Sequence, residues 1–165
     1  MLSEKYKIVP IKQAGDLNSA ATVDCDSINM KLFHKATFVF TFDTLGGAST
    51  VLTINSGATD GAVTSALYFN YAWGGAAIGT AVAGSTASCD VPAAWTNAAS
   101  VTITHTTYSN YMLIVEIDAS NMDTANDEEW LTARFTDPGS GTGTFDAFVI
   151  LEQRYPGNRS ETALA

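Results

Sequence analysis

Hydrophobic and polar residues alternate with a period of two along most of the chain, and the 3.6-residue period of an amphipathic helix is nearly absent. Clusters of Gly, Asn, Asp and Ser separate the alternating segments, as is typical of turns between strands. Ala119–Ala125 is predicted to form a short helical turn capped by Asp118 or Ser120. The pattern predicts strands over Tyr6–Lys12, Lys35–Thr44, Ser49–Asn55, Ser65–Trp73, Ser100–His105, Asn110–Asp118, Glu128–Asp137 and Thr144–Tyr155.

Three of these strands carry information about their place in a sheet. Pro10 interrupts the first strand, and a proline is tolerated mainly at a sheet edge. The Gly-Gly turn after Lys35–Thr44 predicts Ser49–Asn55 as the hairpin partner of that strand. Asn110–Asp118 is the most apolar run, so we expect it at the centre of a sheet with both faces buried.

Large apolar side chains recur on one face of several predicted strands, and such faces need a common core. We therefore expect an all-β fold, a two-sheet antiparallel sandwich or jelly roll of about eight or nine strands, with a closed barrel as the lesser alternative. The apolar faces are Phe38, Phe40 and Phe42; Leu67, Phe69, Tyr71 and Trp73; and Phe145, Ala147, Val149 and Leu151, the last set lying opposite Phe148 and Ile150.

The chain reads as a single domain over residues 1–155, with an extended N-terminal lead, 1–16, and a C-terminal arm, 156–165. The arm is polar and has no globular pattern, so it has nothing of its own to bury. We expect a neighbouring subunit to hold it. The candidate interface residues are Trp95, Arg154, Tyr155, Pro156, Asn158 and Arg159.

Charge excludes several partners. Only 15% of the residues are charged, against about 25% in an ordinary domain, which suits a surface covered by other subunits. The net charge is −9 and the eight basic residues are scattered, so we expect no nucleic-acid partner. The chain contains no apolar run of about 18–20 residues and does not begin with a secretory h-region. We expect no membrane partner and synthesis in the cytosol.

The residues needed for catalysis or cofactor binding are not grouped in the sequence. His34 and His105 are isolated and are expected at the surface or in an interface. Neither a Gly-x-Ser-x-Gly elbow nor a phosphate-binding glycine loop occurs, so we expect no enzyme and no cofactor. Cys25 and Cys89 lack metal-ligand spacing, and they either form one disulfide or are small buried hydrophobic residues, the second being favoured.

Two groups of carboxylates have competing interpretations. Asp123, Asp127, Glu128 and Glu129 lie close together and either bind Ca²⁺ or form a solvated acidic turn. The EF-hand order is absent, which favours the turn and no metal. Glu116 and Glu152 lie on strands, where they form either a glycosidase-type pair or, the favoured interpretation, the polar positions of two half-exposed strands.

Aromatic residues suggest a binding surface of a different kind. Tyr68, Tyr71 and Trp73 could form a platform on which a sugar ring stacks, although core packing already explains Tyr71 and Trp73. Trp95 lies in a predicted loop and is the better candidate for a contact residue, because exposed Trp patches mark interaction sites.

Four stretches resemble a family of tailed-phage virion proteins, the head decoration or capsid cement proteins. They are Ala21–Phe40, which leads into the first aromatic strand, Ala66–Trp73, Tyr111–Met122, and Ala147–Gly157 with the polar tail to Leu164. The resemblance lies in the pattern and order of the segments and spans most of the chain. It implies a structural protein on the capsid exterior, made in the host cytoplasm, which binds the major capsid protein and copies of itself, with a trimer expected first.

The leading hypothesis is therefore a non-enzymatic virion protein that binds and stabilises an assembled capsid shell. The alternative is a carbohydrate-binding β-sandwich module for host-surface attachment, based on Tyr68, Trp73 and Trp95. Shell binding needs many modest contacts repeated by symmetry, so neither a catalytic nor a metal motif is required.

Overall fold

The computed structural model describes residues 5–17, 21–80, 87–136, 139–155 and 162–164. Twelve strands lie in this part of the chain, together with one short helix, α1 (His105–Tyr108), and two 3₁₀ turns, Ala119–Asn121 and Thr124–Asn126. The strands are β1 (Tyr6–Asp16), β2 (Val23–Asp24), β3 (Ile28–Asn29), β4 (Phe33–Phe42), β5 (Thr50–Gly57), β6 (Ser65–Ala66), β7 (Phe69–Trp73), β8 (Thr96–Ala98), β9 (Val101–Ile103), β10 (Met112–Asp118), β11 (Trp130–Phe135) and β12 (Thr144–Gln153).

The strands form two antiparallel sheets packed as a sandwich, which confirms the predicted fold class with twelve strands in place of eight or nine. The first sheet has the order β1-β12-β4-β10-β7-β8. The second has the order β2-β11-β5-β6, with β3 also paired to β11 and β9 to β5. β1 is an edge strand, as Pro10 predicts. No helix in the described ranges is long and apolar enough to cross a membrane.

The core lies between the sheets and is rich in phenylalanine. Phe38 and Phe40 of β4 are fully buried, as the alternation predicts. Phe40 meets Phe135 of the other sheet edge to face, with ring centroids 5.4 Å apart. Phe135 also packs on Phe145 at 4.3 Å. Aromatic pairs in these geometries add to the stabilisation from burial alone, so this cluster joins the two layers.

The predicted hairpin between β4 and Ser49–Asn55 is wrong. β5 lies in the second sheet, where it pairs with β11. The turn after β4 does not reverse the chain into a hairpin, because Leu45 is buried and Gly46 forms a β-bridge with Thr142. The connection therefore crosses from one sheet to the other.

The single strand predicted over Ser65–Trp73 is divided between the sheets. Ser65–Ala66 forms β6 of the second sheet and Phe69–Trp73 forms β7 of the first. Leu67 and Phe69 are both buried at the crossing, so the apolar periodicity continues through the change of sheet. Gly74 follows β7, where the expected Gly-Gly ending is found.

β10 is central in its sheet, between β4 and β7, as predicted. Leu113, Val115 and Ile117 are buried on its inner face, but its outer face is only half-buried, so the expectation of burial on both faces is wrong. The helical turn predicted after it is confirmed as two 3₁₀ turns. Asp118 gives the first of them no side-chain cap.

The C-terminal residues that the structure describes return to the domain. Ala163 is 1% exposed, and its carbonyl accepts a 2.8 Å hydrogen bond from the backbone of Asn29. Leu164 is half-buried against the core. The expectation that the arm has nothing of its own to bury is therefore wrong for residues 162–164, and residues 156–161 lie outside the described part of the chain.

Candidate interaction surface

The outer face of the six-stranded sheet carries a row of uncharged residues that runs from strand to strand. The register pairs Pro10 of β1 with Phe148 of β12, Phe148 with Val39 of β4, Val39 with Ile114 of β10, and Ile114 with Ala72 of β7. We call these five residues the apolar row. Since neighbouring strands lie about 4.8 Å apart, the row extends for about 19 Å.

A second pair of aliphatic residues widens the apolar row. Ile8 pairs with Ile150, and both lie on the same face as Pro10 and Phe148. Ile8 is 53% exposed, while Phe148 and Ile150 are half-buried. The alternation of Thr144–Tyr155 predicts this outward placement of Phe148 and Ile150. Val39 is 8% and Ala72 1% exposed, so the accessible apolar part of this face consists of the exposed Ile8 and Pro10 and the half-buried Phe148, Ile150 and Ile114. An exposed apolar patch marks an interaction surface when it is contiguous.

Trp95 lies at the far end of the apolar row. In the pairing of β7 with β8, Tyr71 is opposite Thr96, so the same register continued by one residue sets Trp95 beside Ala72. The indole is 47% exposed, and its role as a contact residue stays a prediction. Next to it, the Asn97 side chain donates a 2.9 Å hydrogen bond to that of Asn70, so two amides on this face bind each other.

Charged residues on this face lie on both sides of the apolar row: the exposed Asp146 of β12 on one side, and a group on β4, β10 and β12 on the other. Lys35 Nζ is 2.5 Å from Glu116 Oε2, and both side chains are about one-third exposed. The register places Glu152 opposite Lys35 and Glu116 opposite Thr37, so the two glutamates flank β4 on the same face. The structure thus brings Glu116 and Glu152 together, with Lys35 between them and bonded to Glu116, as on a half-exposed sheet.

One flank of the sandwich is almost without charge. Between Asp60 and Glu116 the sequence contains a single charged residue, Asp90, and none of the eight basic residues. This segment supplies β6, β7, β8 and β9, and we call its described part the uncharged flank. Its exposed apolar side chains are Tyr68 at 65%, Ile78 at 46%, Val91 at 36% and Trp95 at 47%.

The other predicted interface residues do not join this surface. Arg154 is held by its own chain, because its backbone N–H donates to Leu32 O at 2.8 Å and its Nε to Phe33 O at 2.9 Å. Tyr155 is 66% exposed beyond the end of β12. Pro156, Asn158 and Arg159 lie outside the described residues.

The predicted sugar platform does not form. Trp73 is only 9% exposed and stacks on Tyr108 inside the sandwich, with ring centroids 3.6 Å apart. Tyr71 is half-buried and meets Phe69 edge to face. Tyr68 alone of the three predicted residues is well exposed, so core packing accounts for the other two.

The acidic loop turns one carboxylate inward. Glu128 is 4% exposed and accepts hydrogen bonds from the hydroxyls of Ser56 and Ser65, the latter at 3.0 Å. The solvated-turn interpretation is therefore wrong for Glu128. Asp123 accepts a 2.6 Å hydrogen bond from Asn126 within the turn. In the described ranges, no group of three or more His, Cys, Asp or Glu side chains could hold a metal ion.

The histidines and cysteines occupy different environments from one another. His34 is exposed, as expected, but His105 is fully buried in α1, so its predicted surface position is wrong. The Nδ1 of His105 lies 2.7 Å from Gly46 O, which fixes the ring against the β4–β5 connection. Cys25 is buried and Cys89 half-buried, and both are free thiols. Burial raises the pKa of Cys25 to about 12.

No protein-family model matches the sequence, and no curated protein is significantly similar to it. Among solved structures, the chain is similar to the SPBc2 prophage-derived protein YomS, with 11% identity, coverage of 88% of this chain and 91% of that chain, and a TM-score of 0.47. It is also similar to a CBM28 carbohydrate-binding module specific for non-crystalline cellulose, with 10% identity, coverage of 82% and 67%, and a TM-score of 0.36. A CBM4 structure has 13% identity, with coverage of 90% of this chain and 71% of that chain and a TM-score of 0.33. At these identities and TM-scores the likenesses carry no functional inference.

Proposed function

We propose that this chain is a non-enzymatic virion structural protein that binds and stabilises an assembled capsid shell. The contact with the major capsid protein is made by the outer face of the six-stranded sheet, centred on the apolar row. The observation that carries this proposal is the accessible apolar patch at the β1–β12 side of the row, where the exposed Ile8 and Pro10 pair with the half-buried Ile150 and Phe148.

Aliphatic residues favour a protein partner on this face. Covering apolar surface is favourable by roughly 25 cal/mol per Å², and repetition over a symmetric shell multiplies a modest contact. The polar side chains beside the row are bonded to one another, Asn97 to Asn70 and Lys35 to Glu116. The low charge content and the resemblance of the sequence to capsid cement proteins support the same role.

The test is co-sedimentation with shells of the parent virus purified without this chain. The wild type should bind at a fixed stoichiometry and raise the temperature at which the shells break. The double variant Ile8→Thr/Ile150→Thr keeps β-branched side chains but reduces the apolar surface, and it should bind about tenfold more weakly, which corresponds to about 1.4 kcal/mol. The matched control is Val51→Thr, on β5 and half-buried. It should bind as the wild type does.

The outcomes separate the role from the surface. No binding by the wild type, with shell stability unchanged, contradicts the proposed function. Wild-type binding that the double variant keeps would place the contact elsewhere. Tyr155 and the segment 156–159 are the next proposed contact, and Tyr155→Ser then tests it. Thermal unfolding of each variant checks that its fold is intact.

Carbohydrate binding is the alternative proposal, and the exposure of Tyr68 and Trp95 is the observation that favours it. The register sets these two residues about four positions apart along β7 and β8, which is about 13 Å. A glycan array with the wild type and the Trp95→Ala variant tests this proposal. Binding that disappears in the variant would support it, and an array without hits would contradict it.

A further inference from the structure

We propose that the free edge of β8 pairs antiparallel with β8 of a second copy of this chain, about a two-fold axis near Asn97. The uncharged flank is then covered by the second copy, and Trp95 lies at the junction. The proposed pairing uses the backbone edge of β8 at the side of the sandwich, whereas the proposed shell contact uses the outer face of the six-stranded sheet.

In the described part of the chain the edge formed by β8 is open, and β7 is its only strand partner there. The residues from Val91 to Asn97 are all exposed, and none of them is charged. An uncharged edge strand accepts another strand readily, since the backbone N–H and C=O groups on its free side lack protein partners.

The opposite edge of the same sheet, β1, is more strongly protected against strand pairing than β8 is. β1 contains Pro10 and register shifts on either side of Lys12. Its Ala14 has φ 47, a left-handed conformation that interrupts a regular edge. The carbonyl of Ile11 is also occupied, because it accepts a 3.0 Å hydrogen bond from Asp26 N. These are devices that oppose strand pairing. β8 spans only three residues, and Pro92 and a one-residue change of register, from Tyr71↔Thr96 to Gly74↔Pro92, lie before it. Within Thr96–Ala98 itself there is no proline, register shift or charge.

The distribution of charge identifies the occupant as a second copy. Two chains of net charge −9 repel each other, so their association is least opposed at a surface that carries little of that charge. The uncharged flank is such a surface. A basic partner protein would instead be attracted to the acidic remainder of the molecule.

Pairing at β8 would also join the outer faces of the two copies' six-stranded sheets. Two six-stranded sheets would continue into one sheet of twelve strands, and the two apolar rows would lie on the same side of it. In a two-fold antiparallel pair centred on Asn97, Trp95 of one copy lies opposite Ala99 of the other, a small side chain that leaves room for the indole.

The test uses the full chain in sedimentation-velocity experiments over a range of concentrations. The wild type should form a dimer. Asn97→Lys and Asn97→Glu each place like charges close to the two-fold axis, so each variant alone should dissociate at least about tenfold more readily. A mixture of the two variants should restore the dimer, because opposite charges then face each other.

Ile8→Lys is the matched control, since Ile8 is an exposed apolar residue on the opposite edge strand of the same sheet. This variant should dimerise as the wild type does. A wild type that stays monomeric, or a trimer, overturns the proposal. So does a mixture of the Asn97 variants that remains monomeric while each variant is folded by circular dichroism.

The two proposals fail independently of each other. A monomeric wild type that still binds shells contradicts the β8 pairing and leaves the proposed function intact. A dimer that the Asn97 variants dissociate, with no affinity for shells, supports the pairing and contradicts the function.

Discussion

At the scale of single residues, the two cysteines show how environment separates chemically identical groups. Cys25 lies between Asp24 and Asp26 in sequence but is buried, and desolvation raises the pKa of its thiol to about 12. The thiolate is the reactive form, so Cys25 should be inert at neutral pH. Cys89 is half-buried and free. At pH 8 we expect Ellman's reagent to titrate one thiol in the folded protein and two after unfolding.

The Cys89→Ser variant provides the control, because it should show no reactive thiol until it is unfolded. Two thiols that react rapidly in the folded wild type would contradict the buried position of Cys25.

The raised pKa of Cys25 also makes the stability of the protein depend on pH. The thiol of the unfolded chain ionises near its ordinary pKa of 9.0, so the stability associated with Cys25 is complete below about pH 9 and decreases as the pH rises toward 12.

At the scale of elements, the alternation of the sequence predicts which residues face inward but not which strands become partners. The faces of β4 and β12 are as predicted, since they depend only on local periodicity. The partner of β5 depends on where the preceding connection is anchored, and the anchor at Gly46 is a backbone bridge to Thr142 with no sequence signal. The predicted surface position of His105 is wrong for a related reason, because α1 interrupts the alternation and turns the imidazole inward.

Residues 162–164 pack on the domain although the polar sequence around them does not predict it, and this contact leads to a prediction about stability. Ala163 is buried and Thr162, its neighbour, is exposed. Ala163→Glu places a charge in the contact with Asn29 and should lower the free energy of unfolding by about 2 kcal/mol or more. Thr162→Glu adds the same charge at an exposed position and should change it by less than about 0.5 kcal/mol. Urea unfolding of both variants provides the measurement.

Equal stability of the two variants would show that residues 162–164 do not pack on the domain. The result also bears on the arm as an interface element. Because the carbonyl of Ala163 is bonded to Asn29 beside β3, Ala163 is taken up by its own domain and not by a neighbour.

At the scale of the whole molecule, the candidate surface is partly visible in the sequence. The outward Phe148 and Ile150 follow from alternation, and Trp95 from its place in a predicted loop. The apolar row does not, because it needs the register of five strands that are distant in sequence. The same holds for the uncharged flank, because a segment with a single charged residue becomes a surface only when the strands β6 to β9 assemble.

Salt dependence distinguishes an uncharged interface from a complementary one. Two copies of net charge −9 repel each other over long distances, and the Debye length falls from about 10 Å at 0.1 M salt to about 3 Å at 1 M. The wild-type dimer should therefore become several-fold tighter over this range. The mixed dimer of the Asn97→Lys and Asn97→Glu variants gains an attraction that salt screens, so its affinity should rise less or fall. A wild-type dimer that salt dissociates would mean that opposite charges meet in the interface, which β8 and the uncharged flank do not provide.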